Sequence, residues 1–339
     1  MLIRIFISLF VLSLTFTQNL LAKKINLTGA GATFPYPFYS KVFEIYYRYA
    51  QVKVNYQGIG SGGGIRQLRA RLVDFGATDV YVNDKDIVHI PTVAGAVVIT
   101  YNLPGNPKIC LTGEIISNIF LGKITRWDDP KIKALNPHIN LPKMNIVVVH
   151  RSDGSGTTFI FSDYLCKVSP EWKSKIGCGK ALNWPVGVGA KGNPGVAGLI
   201  KQIPGSIGYT ELTYALSNNM PYAKIRNSHG NFIDPSIKSV TAATNVTLPN
   251  DLRILLTNTD APEGYPISGF TWLIVYKDLS QENMDKEKAQ ALVKLLWWII
   301  HQGQSYAKEL YYAPLSKEAQ KKAEVIVRSI TYKGEKLWK

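Results

Sequence analysis

Three short glycine-rich stretches, each set between a strand pattern and a helical pattern, constrain this 339-residue chain more than any other feature. They are Gly29-Ala30-Gly31-Ala32-Thr33-Phe34, Gly58-Ile59-Gly60-Ser61-Gly62-Gly63-Gly64 and Asp153-Gly154-Ser155-Gly156-Thr157-Thr158. Each combines small residues with a Ser or Thr hydroxyl. A helix start carries backbone N–H groups without intrahelical partners and the positive end of a dipole, so it attracts anions. One such loop is weak evidence. Three of them, with Arg151 beside the third, imply one oxyanion held from several sides.

Strand and helix patterns alternate along the chain. Strands are expected at 25–28, 52–56, 92–101, 146–150, 207–209 and 270–276, with 73–77 turning toward another. Helices are expected at 36–49, 65–72, 111–121 and from 157 to about 166, with mostly helix beyond 286. This is an α/β pattern with crossover connections. The Asn-, Ser- and Thr-rich stretch 216–262 reads as loops and irregular strands, and Trp297-Trp298 as part of a packed helix.

Residues 1–22 read as a secretory signal. Arg4 is its positive end, Ile5 to Phe16 its apolar run, and Leu20-Leu21-Ala22 a small-residue cleavage site. No Cys lies near that site, so lipid attachment is not expected. The formal charge of +15, of which only Arg4 falls within the signal, draws small anions to the surface. Lys and Arg are scattered without a dense run, so a nucleic-acid partner is not indicated. Of the three cysteines, Cys166 and Cys178 are the nearest pair and are expected to form a disulfide in an oxidising compartment, with Cys110 left over. No Cys/His spacing suits a metal.

Two enzyme classes have partial signatures in the chain. Gly58/Gly60/Gly63 with Asp79 about twenty residues on mimics a dinucleotide fingerprint. An exported chain is a poor place for a diffusible nicotinamide cofactor, and the third loop would be left unused. The related match Gly187/Gly189/Gly192 lacks a strand before it and reads as a loop. A nucleophile elbow needs Gly two residues either side of Ser, and neither Ser61 nor Ser155 has them. None of the five histidines sits in an informative motif, and His150 alternates out of phase with Arg151. Binding without chemistry remains: Ser61, Ser155 and Thr157 as hydroxyl donors, backbone N–H groups of Thr33, Phe34, Gly62 and Gly156, and the Arg151 fork.

The ordered segments Leu27–Pro35, Val54–Ser61, Asp74–Asp79, Leu121–Ile124 with Trp127-Asp128, Arg151–Thr158 and Gly205–Tyr209 closely resemble the periplasmic phosphate-binding proteins of bacterial ABC phosphate-uptake systems, the PstS family. The resemblance covers nearly all of the chain after residue 22. It implies a periplasmic binding protein-like (type II) α/β fold of two lobes joined by a β-strand hinge. Residues 23–98 plus 269–339 would form lobe I and 99–268 lobe II, with crossings near 97–101 and 268–272. It implies inorganic phosphate bound by Thr33, Phe34, Ser61, Asp79, Arg151, Ser155, Gly156 and Thr157. Asp153 would pair with the arginine, and Gly62 stands where the family often has Ser. No cofactor, metal or catalytic residue is implied. The partner would be an ABC permease of two transmembrane subunits and an ATPase. Asp79 favours a ligand that carries a proton over sulfate or molybdate. A receptor for another oxyanion and an exported phosphate-ester hydrolase are the alternatives.

Overall fold

The computed structural model describes residues 24–338, so the expected signal lies outside the described residues. The strands are β1 (Asn26–Gly31), β2 (Lys53–Gly58), β3 (Phe75–Thr78), β4 (Ile87–Tyr101), β5 (Cys110–Leu111), β6 (Val147–Arg151), β7 (Val188–Ala190), β8 (Ser206–Glu211), β9 (Lys224–Arg226), β10 (Phe232–Ile233) and β11 (Ser268–Tyr276), with a short hairpin of β12 (Thr331–Tyr332) and β13 (Glu335–Lys336) near the end. Eight of them form one sheet in the order β2-β1-β3-β11-β4-β8-β6-β7. The helices that bear on the site are α1 (Tyr36–Ala50), α2 (Ser61–Arg69), α3 (Gly113–Phe120), α4 (Pro130–Leu135), α5 (Gly156–Val168), α6 (Pro170–Lys175), α7 (Gly192–Gln202) and α8 (Leu212–Ser217).

The chain forms two α/β lobes on this shared sheet. β1 pairs in parallel with β2 and β3, and β6 in parallel with β7 and β8. These parallel pairs need helical crossovers, which α1, α2, α5 and α7 supply. The long strand β4 serves both halves. Residues 87–96 pair with β11, and Val97–Tyr101 with β8.

Aromatic side chains fill both halves. Phe43, Tyr56 and Phe75 pack together behind β1, with the Tyr56 and Phe75 rings stacked at 6.3 Å. Behind β6, Phe161 stacks on Tyr209 at 4.3 Å, and His150 stacks on Trp184 at 4.7 Å. His150 therefore packs away from Arg151, as its alternation on the strand requires.

Four local expectations are corrected. First, α2 starts at Ser61, not Ile65, so Gly62–Gly64 form its first turn. Glycine disfavours helix, but here it permits contact: a Cβ on Gly64 would overlap the Ala30 carbonyl oxygen and the Gly31 Cα. Second, β4 begins at Ile87 although Pro91 interrupts the pattern. The register against β11 shifts between Thr271 and Trp272, opposite Val93 and Pro91, and this irregularity accommodates the proline. Third, residues 188–190 are a strand and 192–202 a helix, where a loop was expected. Fourth, the polar stretch 216–262 holds α9 (Ile237–Ala243), started by a reciprocal cap between Ser236 and Ser239. The cysteines also differ: all are free thiols, Cys178 exposed and Cys166 half-buried beside it, so the expected bridge is not formed. α10 (Lys286–Ile300) and α11 (Lys317–Arg328) complete the helices, and Trp298 is buried on α10 as expected.

Gly64→Ala is expected to destabilise the fold by about 1–3 kcal/mol, the usual cost of overpacking, because the added methyl meets backbone that cannot rotate away. Urea unfolding of the two proteins checks this; equal midpoints would show that α2 shifts freely over β1.

Candidate functional site

The three glycine loops converge. Gly62 N donates to Gly154 O at 2.8 Å, which joins the second loop to the third. Gly156 packs so closely that a Cβ there would stand 2.5 Å from Ser61 Oγ and 2.6 Å from Asp79 Oδ2. Thr33, from the first loop, meets the second lobe through Asn193, whose N and Nδ2 donate to Thr33 Oγ1 at 3.0 and 3.1 Å. Thr33, Ser61, Asp79, Arg151, Ser155, Gly156 and Thr157 are all buried here.

Each hydroxyl at this junction is held in a defined role. Thr33 Oγ1 accepts both Asn193 bonds, and Thr157 Oγ1 accepts from Asn193 Nδ2 at 3.1 Å. Ser155 caps α5 by accepting from Thr158 N at 3.0 Å. Ser61 Oγ accepts from Asp79 N at 3.2 Å, and its own contact to Asp79 Oδ2 is long at 3.4 Å. A hydroxyl whose lone pairs are engaged has its hydrogen left to give. Thr33, Ser155 and Thr157 each keep a hydrogen to give, and the Ser61 hydrogen is directed at Asp79 Oδ2. The first-turn N–H groups of α5, at Gly156 and Thr157, add donors that no helical carbonyl can accept.

Arg151 ends β6 with its backbone N donating to Tyr209 OH at 3.2 Å. Its guanidinium donates from Nε and Nη2 to the two oxygens of Asp153, at 2.7 and 2.6 Å. Gly192 N donates to the same carboxylate at 3.0 Å. Burial would raise the Asp153 pKa, but the Arg151 bonds and charge and the Gly192 N–H hold it below its ordinary value. The fork is thereby fixed, and its Nη1 end is left for another acceptor.

Asp79 is the acceptor among these donors. Burial pushes its pKa up to about 7, against the opposing pull of the Thr271 hydroxyl, the Arg151 charge and Ser61. Thr271 Oγ1 donates to Oδ1 at 2.7 Å, which aims the other oxygen at Ser61 and Gly156. Phe34 enters differently from the others. Its ring lies in the core beside Tyr312, and only its backbone borders the junction. Among the described residues no group of three or more His, Cys, Asp or Glu is placed to hold a metal ion.

A family model described as a PBP superfamily domain matches residues 18–298. The chain is 42% identical over 314 residues to the phosphate-binding protein PstS of Xylella fastidiosa, spanning 89% of this chain and 85% of that protein. It is 41% identical over 300 residues to PstS of Haemophilus influenzae, spanning 86% and 89%. The chain belongs to the PstS family of phosphate-binding proteins. Among solved structures, a high-affinity periplasmic phosphate-binding protein, PfluDING, bound with phosphate shares the fold. Its TM-score is 0.71 at 20% identity, over 89% of this chain and 93% of that one. The phosphate-binding protein of Stenotrophomonas maltophilia does so with TM-score 0.66 at 19% identity, over 90% and 94%.

Within this PstS-family chain, Asn193 is the site residue that the sequence reading missed. It is fully buried, and its Oδ1 accepts from Glu211 N and Thr210 Oγ1, each at 3.1 Å. Those two donors fix the amide orientation, so Nδ2 must face the Thr33 and Thr157 hydroxyls. The signal was present in the second glycine match: Gly192 opens α7 one residue earlier. Tyr209 and Thr271, which orient Arg151 and Asp79, were also not singled out.

The raised Asp79 pKa sets a pH dependence of stability. Its unfolded value is about 4, and its folded value about 7. Folding therefore favours the protonated acid. The contribution is complete below about pH 4 and is lost as pH rises through 7. Asp79→Asn is expected to remove this slope. Urea unfolding of both proteins at several pH values checks it; identical slopes between pH 4 and 7 would show that Asp79 is not held protonated by the fold.

Proposed function

We propose that this protein captures inorganic phosphate in the periplasm and delivers it to an ABC permease for import. The observation that carries this reading is the donor and acceptor count. The hydroxyls of Thr33, Ser61, Ser155 and Thr157 accept from protein N–H groups and so have hydrogens to offer a ligand, helix-start N–H groups and the Arg151 fork add further donors, and one carboxylate, Asp79, can accept. The fitting ligand is rich in acceptors and keeps one proton. Phosphate near neutral pH is HPO₄²⁻ or H₂PO₄⁻ and gives its O–H to Asp79. Sulfate has no proton, and its oxygen would face a buried carboxylate without a hydrogen between them. The same count supports all eight expected contacts: Thr33, Phe34 through its N–H, Ser61, Asp79, Arg151, Ser155, Gly156 and Thr157. Asp153 and Gly62 brace them.

A solute-binding role is favoured over hydrolysis. Among the described residues no histidine hydrogen-bonds Ser61, Ser155 or Thr157, so these hydroxyls lack the base that would activate a nucleophile. We place the lobe boundaries at 98/99 and 268/269, two residues past the point at which β4 changes partner, between Ala96 and Val97, and one residue into β11. Opening about these crossings would part the Gly62–Gly154 and Thr33–Asn193 contacts and admit the ion. No helix among the described residues is long and apolar enough to cross a membrane. Export by residues 1–22 without a lipid anchor is our reading of the sequence. The permease of two membrane subunits and an ATPase is what the family likeness implies.

Calorimetry of the mature protein is expected to show phosphate bound at micromolar or tighter concentration, about −8 kcal/mol, with sulfate rejected. Asp79→Asn is expected to reduce the phosphate-to-sulfate ratio more than it reduces phosphate affinity. Undiminished rejection of sulfate by that variant would exclude Asp79 as the discriminating acceptor. Asn193→Ala frees the Thr33 and Thr157 hydroxyls to turn, and a loss of about 0.5–1.5 kcal/mol per hydrogen bond is expected in phosphate affinity. An unchanged titration would mean the hydroxyls need no such bracing.

A further inference from the structure

Glu211 ends β8, opposite Val97 of β4, and is fully buried. Its Oε1 has no hydrogen-bond partner. Its Oε2 accepts from Thr213 N at 2.8 Å and lies 3.1 Å from the hydroxyl of Tyr312. That hydroxyl also lies 2.7 Å from the Phe34 carbonyl oxygen. Tyrosine has one hydroxyl hydrogen, and here two acceptors compete for it. If Glu211 is ionised, one of two costs follows. Either the Phe34 carbonyl loses its donor, or the carboxylate faces a tyrosine lone pair while its other oxygen is bare and buried. A proton on Glu211 removes the conflict. Oε2–H then donates to Tyr312, and Tyr312 donates to Phe34.

The neighbourhood agrees. The titratable groups facing Glu211 are Tyr312, Tyr214 on α8, and Asp79 at the end of β3. None is a cation, and Glu211 takes part in no salt bridge with Lys, Arg or His among the described residues. Burial pushes its pKa well above the usual carboxylate range, and the Asp79 charge acts in the same direction.

We infer that Glu211 is a neutral carboxylic acid whose hydrogen completes a chain through Tyr312 to the Phe34 carbonyl and so positions the first glycine loop against the anion. Tyr214 OH completes the clamp by donating to the Thr33 carbonyl at 2.6 Å. In a trans peptide the C=O and the following N–H point in opposite directions. Fixing the Thr33 carbonyl therefore aims the Phe34 N–H, and fixing the Phe34 carbonyl holds the next peptide in register. Glu211 N also donates to Asn193 Oδ1, so one residue braces both the first loop and the amide that orients Thr33 and Thr157. Glu211 is a positioning residue and touches no ligand. Its effect on affinity rests on the phosphate reading above, whereas its proton does not.

Two measurements test this. The first is infrared spectroscopy of Asp79→Asn against Asp79→Asn/Glu211→Gln, without phosphate, at neutral pH. The C=O stretch of an un-ionised, buried carboxylic acid is expected in the former and its loss in the latter. A carboxylate signal lost instead would overturn the inference whatever the protein binds. The second is phosphate calorimetry. Glu211→Gln can turn Nε2 toward Tyr312 only by giving up the Thr213 N–H bond, so it is expected about threefold weaker than the parent, while Glu211→Met, which loses both, is expected at least about tenfold weaker, the loss of roughly one buried hydrogen bond or more. Tyr312→Phe, which leaves Glu211 in place, is expected to match Glu211→Met, and combining them should add little because they break one chain. A Gln variant as weak as Met would mean that the charge is needed, and additive losses would mean that no chain exists. Absence of phosphate binding by the parent would sink the functional reading and leave the infrared result standing.

Discussion

A buried guanidinium that already has a carboxylate of its own is the constraint around which this site is built. Arg151 is committed to Asp153 through two short bonds, and Asp79 lies close enough to feel the same charge. With both acids ionised, the three groups sum to a negative charge, in a pocket proposed to hold an anion. Net charge therefore cannot be what attracts it. The attraction has to come from dipoles fixed in place: hydroxyls whose lone pairs are already used and N–H groups at helix starts. Such donors discriminate by geometry and by proton count, which bare charge does not. The Asp153 pair is the part that makes this work. Without it the fork could swing, and Arg151 would neutralise Asp79 and remove the acceptor.

Fixed dipoles work only when water is kept away, and this explains the glycines. Gly62 N meets Gly154 O, and Gly156 leaves no room for a Cβ between itself, Ser61 and Asp79. The walls of the cleft are peptide against peptide. A Ser at position 62 would place its Cβ 3.1 Å from the Gly154 Cα, so glycine here eases that contact. The same closeness joins the two halves of the sheet at this junction. Thr33 follows β1 and Thr157 opens α5, on opposite halves of the sheet, yet both bond to Asn193, so their geometry depends on these segments meeting.

Much of this was legible in the sequence, for reasons that can be traced to residues. Asp79, Arg151 and the Ser/Thr positions carry their chemistry in short motifs at the end of a strand, where backbone direction fixes side-chain direction. The alternation of strands and helices was likewise visible, because β4 and β11 are buried on both faces and read as apolar runs. What was hidden depended on tertiary packing. Asn193 lies after β7, a strand of only three residues that is largely exposed and carries no periodic signal. The start of β4 was masked by Pro91, whose missing N–H is tolerated only because the opposite strand shifts register. Phe34 looked like one contact, yet its ring is core and its carbonyl is held by Tyr312. Glu211 gave no sign at all, since a lone glutamate after Thr210 is indistinguishable from a surface residue until Tyr312 arrives from about a hundred residues further along the chain.

Asp79 and Glu211 show how one physical cause can serve two ends. Burial raises both carboxyl groups, and neither has a cation bonded to it. They differ in what faces them. Asp79 receives a hydrogen from Thr271 on one oxygen and only a long one, at 3.4 Å, from Ser61 on the other, so that second oxygen has room to accept a stronger bond from a ligand. Glu211 faces a tyrosine that already has a stronger claim on its own hydrogen, so it must supply one. One acid is prepared to receive and the other, on our reading, is obliged to give. The distinction cannot be read from burial or from residue type. It follows from counting hydrogens along each chain of contacts, and that count is what makes a phosphate proton, rather than phosphate charge, the feature this pocket is shaped to find.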